Sequence, residues 1–197
     1  MKKEILDTIK YWTEIYYKEL EEIGMRKVIL RDGSTMPLSE WQEEHGLDEK
    51  MLAPHLSVLE VDEKDGEIII SELIVDVFSA LRAIVDRPLK INSGYRDKLH
   101  QERLRRCGYR AAKRSPHVEG MALDIDTTSQ SQTRQVVEHL KTLREDRFPF
   151  IRIGWKQYMA DGNTFIHVDV CPAYFRKGNP YGEVVAPKQW REYGKEW

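Results

Sequence analysis

Residues 115–126 read SPHVEGMALDID, and residues 165–170 read FIHVDV. In both stretches aliphatic side chains alternate with His or Asp, and the side chains of a β-strand point alternately to its two faces. MALDID therefore sets Asp124 and Asp126 on one face, with Leu123 and Ile125 behind them. FIHVDV sets His167 and Asp169 on one face, with Ile166 and Val168 behind. Two adjacent strands of this kind aim imidazole and carboxylate at one point. His117 precedes the first strand on a loop that Ser115-Pro116 stiffens and Gly120 allows to turn sharply.

Buried carboxylates are unfavourable unless they are paired or bound to a cation, so acids phased with histidines on apolar strands point to a metal. His117, Asp124 and His167 are the candidate ligands. Three protein ligands with a fourth position for water is the pattern of a catalytic zinc site, whereas structural zinc takes four ligands rich in Cys. Cys107 and Cys171 lack the spacing for such a site or for a disulfide framework, and they read as reduced, buried structural thiols.

Working outward, LKINSGYR (89–96) and IRIGW (151–155) read as further short strands, and SQTRQVVEHLKTL (131–143) as a helix between them. The run ELIVDVFSALRAIVD (72–86) is a helix with Ser71 as its cap and Leu73, Val77, Leu81, Ile84 and Val85 facing a core. Arg87-Pro88 ends it. Residues 47–70 stay open, because LSVLEVDEKDGEIII (56–70) admits two readings, a pair of strands around Asp65-Gly66 or an extended loop leading into the next helix.

Toward the N-terminus, RKVILRDGSTMPL (26–38) reads as a strand, an Asp32-Gly33 turn and a return segment, and Ser39 as the cap of a brief helix ending near Gly46. Residues 2–23 place Ile5, Ile9, Trp12, Tyr16, Leu20 and Ile23 on one helical face. The expected architecture is α+β: a small antiparallel sheet flanked by helices, in a domain spanning 71–197, with residues 1–70 as a helical and hairpin extension.

The 197 residues carry 31 Lys and Arg against 33 Asp and Glu, a net charge of −2 that gives the whole molecule no pull toward nucleic acid or anionic membrane. A local exception runs from Arg96 to Arg114, where eight basic residues face two acids. It reads equally as a solvated helix face and as a surface for an anionic polymer. The most apolar stretch, residues 67–85, is interrupted by Glu72, Asp76 and Arg82, which excludes a spanning helix. MKKEILDTIKYW is no secretory signal, because Glu4, Asp7 and Lys10 break its apolar run, so the product is expected in the cytoplasm as made. Trp155, Tyr158 and Tyr174 flank the second ligand strand as core or cleft aromatics, and His45, His55, His100 and His139 are expected at the surface.

INSGYR, SPHVEGMALDID and FIHVDV, in this order, resemble the zinc D-alanyl-D-alanine peptidases, a family sharing its core fold with lysostaphin-type endopeptidases and the Hedgehog domain. The resemblance spans about residues 72–175. It implies a zinc peptidase acting on peptidoglycan stem peptides, with zinc on His117, Asp124 and His167 and with Arg96 binding substrate and stabilising charge on the scissile carbonyl. Access to the wall would then come through lysis, as for a phage lysin, or through wall recycling inside the cell. Many members carry an acid three positions before the second His; here that residue is Thr164. Asp161 and Asp169 are the remaining candidates for the proton-handling role, Asp169 either acting itself or holding an imidazole. A metal-binding or assembly module without turnover is the alternative that Thr164 raises.

Overall fold

The structure, a computed structural model, describes residues 2–22, 24, 26–62, 67–85, 87–109, 111, 115–156, 159 and 162–170. Helix α1 (Lys2–Glu22) forms where the three-and-four spacing predicts it, but it meets the rest of the protein near its C-terminal end. There Leu20 is buried, and Arg26 lies 4.0 Å from the Tyr17 ring and 3.9 Å from Glu21. Ile5, Ile9, Trp12 and Tyr16 stay exposed, so most of the expected apolar face is not packed; Ile23 lies outside the described residues.

Strands β1 (Arg26–Ile29) and β2 (Thr35–Pro37) pair antiparallel with Val28 opposite Met36, as the Asp32-Gly33 turn predicts. The Asp32 carboxylate accepts the Ser34 N–H at 2.8 Å and its hydroxyl at 2.6 Å, fixing the turn locally. Helix α2 (Leu38–Glu44) begins after Pro37, and Ser39 is not its cap. Ser39 is the second residue of the helix, and it donates its N–H and hydroxyl to Glu21 at 3.0 and 2.7 Å, so that a carboxylate from α1 satisfies a free amide of the first turn.

Asp65 and Gly66, on which the two readings of residues 47–70 turn, lie outside the described residues. Strands β3 (Met51–Ala53) and β4 (Leu56–Ser57) make a small antiparallel pair, followed by a 3-10 turn at Val58–Glu60 that Ser57 and Glu60 close as a capping box. Strand β5 (Ile68–Ser71) then lies parallel to β1, giving a three-stranded sheet of order β2-β1-β5. Helix α3 (Glu72–Ile84) follows at once, with the Ser71 hydroxyl accepting the Leu73 N–H at 3.3 Å. It buries Ile74, Val75, Val77, Phe78 and Leu81; of the expected inward residues Val77, Leu81 and Val85 are buried in the core, Leu73 packs half-buried against it, and Ile84 is exposed.

The remaining elements are β6 (Ile91–Ser93), α4 (Lys98–Arg106), β7 (Ala122–Asp126), α5 (Gln130–Asp146), β8 (Arg152–Gly154) and β9 (Phe165–Asp169). Their four strands form a wholly antiparallel sheet of order β6-β7-β9-β8. The α+β class and the small antiparallel sheet are as the sequence predicts. Leu123, Ile125, Ile153, Ile166 and Val168 are buried in one core with Val136, Val137 and Leu140 of α5 and with Ile74 and Phe78 of α3. That core continues through Val28, Ile68 and Ile70 of the other sheet. Among the described residues no helix is long and apolar enough to cross a membrane.

Candidate metal centre

The face of the four-stranded sheet opposite the core is polar, and its register builds the site. Ser93 of β6 stands opposite Asp124 of β7, Asp124 opposite His167 of β9, and His167 opposite Gly154 of β8. Ala122, Asp169 and Arg152 form the neighbouring row. Each row thus reserves a small residue beside the functional ones.

His117 arrives from outside the sheet. Ser115 leads into a 3-10 turn (Pro116–Glu119) with Pro116 at its first position, and Gly120 ends it in the left-handed conformation at φ 67°. The Met121 N–H donates to the Pro116 carbonyl at 2.9 Å and the Arg96 N–H to the His117 carbonyl at 3.2 Å, closing the turn onto the SGYR segment. Glycine is required at two positions here. A Cβ at Gly120 would lie 2.0 Å from the Ile69 carbonyl oxygen, and one at Gly94 would lie 2.5 Å from that of Val61.

The three expected ligands converge. His117 Nε2 and His167 Nδ1 are 3.2 Å apart, His117 Nε2 and Asp124 Oδ1 3.3 Å, and His167 Nδ1 and Asp124 Oδ1 3.0 Å. Zinc–nitrogen and zinc–oxygen bonds near 2.0–2.1 Å in a tetrahedron separate the donors by roughly 3.3 Å, so this triangle has the size zinc needs. Two imidazoles and a carboxylate also make a suitable donor set.

Each donor is oriented by a second contact. The His117 Nδ1–H donates to the Gly94 carbonyl at 2.7 Å, which turns the Nε2 lone pair toward the other two residues. Arg96 donates from Nη2 to Asp124 Oδ2 and from Nε to Ser93 Oγ at 2.7 Å, leaving Asp124 Oδ1 to face the imidazoles. The His167 Nε2–H donates to Asp169 Oδ2 at 3.0 Å. Asp169 is wholly buried and receives Arg152 in a fork, Nε to Oδ1 at 2.6 Å and Nη2 to Oδ2 at 2.8 Å.

Burial and pairing give the two histidines opposite protonation. Desolvation pushes His117 below its ordinary value, against the pull of Asp124, so its imidazole is neutral. His167 is equally buried, but hydrogen bonds to Asp124 and Asp169 overcome desolvation and raise it to about 9. Burial would raise Asp124, yet the two imidazoles hold it well below the usual carboxylate range. Asp169 is likewise held low against its burial by His167 and Arg152.

Of the other expected residues, Arg96 lies at the site in contact with Asp124, and Asp161, Tyr158, Tyr174 and Cys171 lie outside the described residues. Trp155 packs half-buried against the core. Cys107 is exposed at the end of α4, not buried as expected, because that helix is polar apart from a few positions and ends in solvent. His45 and His55 are exposed, while His100 and His139 are half-buried. Along the basic stretch, Lys98, Arg103, Arg105 and Arg106 line the solvent face of α4, Arg106 pairs with Glu102 at 2.6 Å, and Arg110, Lys113 and Arg114 lie outside the described residues. Sequence reasoning missed Arg152 and the Gly94 carbonyl. The signal for Arg152 was its phase in RIG, two residues from a glycine that faces the site.

No curated protein matches the chain. Among solved structures it is similar to the L-Ala D-Glu endopeptidase ChiX of Serratia marcescens, at 18% identity and a TM-score of 0.42, over 52% of this chain and 80% of that one. A family model described as Peptidase M15 matches residues 37–169, a span that holds Arg96, the three converging donors and Asp169, and the chain belongs to that peptidase family.

Proposed function

We propose that this chain is a zinc-dependent peptidase that hydrolyses peptidoglycan stem peptides, as a D-Ala-D-Ala carboxypeptidase or an endopeptidase of the lysin kind. The observation that carries the reading is the donor triangle, with edges of 3.0–3.3 Å, made by His117, Asp124 and His167. Membership of the peptidase M15 family supports the reaction class, and the resemblance of the three motifs to D-alanyl-D-alanine peptidases supports the substrate class.

In this reading His117 Nε2, Asp124 Oδ1 and His167 Nδ1 hold the metal. A bound zinc supplies Lewis acidity, making a water acidic enough to attack at neutral pH and polarising the scissile carbonyl. Arg96 sets Asp124 so that a single oxygen faces the donors, and its guanidinium is placed beside them to steady negative charge on the substrate carbonyl or carboxylate. Asp169 has both oxygens engaged and no exposed surface, which supports a holding role rather than proton transfer to substrate. Asp161 is then the residue assigned to carry the proton.

The test is direct. Purified protein is expected to contain one zinc per chain, and incubation with muropeptides is expected to release new amines detectable by mass spectrometry. A metal-binding module without turnover is the second reading, favoured by Thr164 at the position where many members carry an acid; the Thr164 carbonyl accepts the Thr127 N–H at 2.7 Å at the start of β9. Stoichiometric zinc with no cleavage of any stem peptide decides for that module. Absence of zinc affinity removes both readings.

A further inference from the structure

Two facts stand beside the donor triangle without being part of it. Asp169 is the most deeply buried carboxylate of the sheet face, at 0% exposure, and it lies directly across the β8–β9 ladder from Arg152. The Arg152 side chain, mostly buried, grips it with two hydrogen bonds of 2.6 and 2.8 Å. An isolated buried carboxylate would be held only loosely to one orientation by a single imidazole N–H. A planar guanidinium engaging both oxygens fixes the carboxylate plane, because the fork matches the carboxylate in two directions at once.

We propose that Arg152 is a positioning residue of the metal centre: through its two-point grip on Asp169 it locks the His167 ring, so that Nε2–H is spent on Asp169 and Nδ1 is the atom offered to the metal. The inference rests on the metal reading given above and adds to it a residue, Arg152. The geometry requires this division of the imidazole. His167 Nδ1 stands 3.0 Å from Asp124 Oδ1 and 3.2 Å from His117 Nε2, whereas Nε2 stands 3.0 Å from Asp169 Oδ2 on the other side of the ring. His117 divides its nitrogens the opposite way, with Nδ1 on the Gly94 carbonyl. The centre is thus offered Nε2 from one histidine and Nδ1 from the other, and a ring flip at His167 would break both of its hydrogen bonds.

In the register of the sheet Asp169 stands between Ala122 and Arg152. Lysine at position 152 keeps the charge but cannot make the two parallel bonds.

The experiment uses the full chain stripped of metal. Zinc affinity is measured by chelator competition, and the cobalt-substituted protein gives an absorption spectrum sensitive to ligand geometry. Asp169→Asn is expected to weaken zinc binding about 10- to 100-fold, the size found when partners of metal-bound histidines are removed. Arg152→Gln is expected to fall in the same range with an altered cobalt spectrum, and Arg152→Lys to recover part of the loss. The double variant Arg152→Gln/Asp169→Asn is expected to bind no more weakly than Asp169→Asn alone, since Arg152 acts through Asp169. A folded Arg152→Gln protein with unchanged affinity and spectrum overturns the proposal, as does a double variant in which the two losses multiply. Should Arg152→Gln fail to fold, Arg152→Lys and the double variant carry the same decision. If the unaltered chain binds no zinc, the metal reading fails by itself. The proposal is then decided by NMR of the metal-free protein: a slowly exchanging His167 Nε2 proton that Arg152→Lys leaves as protected as in the unaltered chain overturns it.

Discussion

The loop that carries His117 and the strand that carries His167 hold their imidazoles by different means. His117 is fixed by backbone: its Nδ1–H meets the Gly94 carbonyl, and the turn beneath it fits against β5 only because Gly120 has no side chain. His167 is fixed by charge, through Asp169 and the Arg152 fork. The first arrangement leaves a neutral ring and the second a ring raised to about 9. Backbone orientation is insensitive to pH but intolerant of any added atom; a charged scaffold tolerates small shifts in shape but responds to protons. One site therefore has a sterically brittle half and an electrostatically tuned half.

The contrast can be broken most severely by removing either ring. His117→Ala and His167→Ala are each expected to abolish stoichiometric zinc, measured by elemental analysis, and with it any muropeptide cleavage. Retention of a full zinc equivalent by either variant would remove that residue from the ligand set.

The next effect tests the brittle half. Gly120→Ala forces a side chain into the left-handed region and places its Cβ 2.0 Å from the Ile69 carbonyl oxygen, for an expected loss on the order of 3 kcal/mol. At this chain length that is a fall in Tm of about 6–12 °C, read by a thermal melt. A variant melting with the parent would show that the loop is not seated on β5 as described.

The tuned half predicts a pH dependence with a definite sign. In the metal-free chain His167 holds protons toward both Asp124 and Asp169, and the one on Nδ1 must leave before that atom can accept a metal. Zinc affinity should climb through the neutral range as pH rises toward about 9 and level off above it, with proton release on binding visible by calorimetry in buffers of different ionisation enthalpy. Affinity that stays flat across this range would remove His167 as a protonated competitor. The smallest effect lies outside both halves: Ser71→Ala should cost about 1 kcal/mol through loss of the α3 cap and leave zinc affinity unchanged.

The strand half of the site was legible in the sequence because it is written in a local code. A period of two places Asp124, His167 and Asp169 on one face whatever the strands later meet, and the register confirms Asp124 opposite His167. The loop half was legible in part: Ser115-Pro116 and Gly120 announce a sharp turn, but what Gly120 turns against is a strand about fifty residues earlier, and no local pattern carries that. The parallel pairing of β5 with β1 escaped for the same reason. Ser39 failed as a cap because the helix begins before it, at Leu38, and its first-turn amide meets Glu21 from a distant helix. Arg152 escaped although its phase in RIG pointed toward the site, because the carboxylate it grips lies on another strand and the register that brings them together is not a local pattern.

The Ser71 amide donates to the Gly120 carbonyl at 2.8 Å, from a residue with no exposed surface. That proton can exchange with solvent only when the turn lifts away from β5. Its exchange rate in heavy water therefore clocks the opening of the loop beneath His117 from a position outside the donor triangle, without altering any of the three donors.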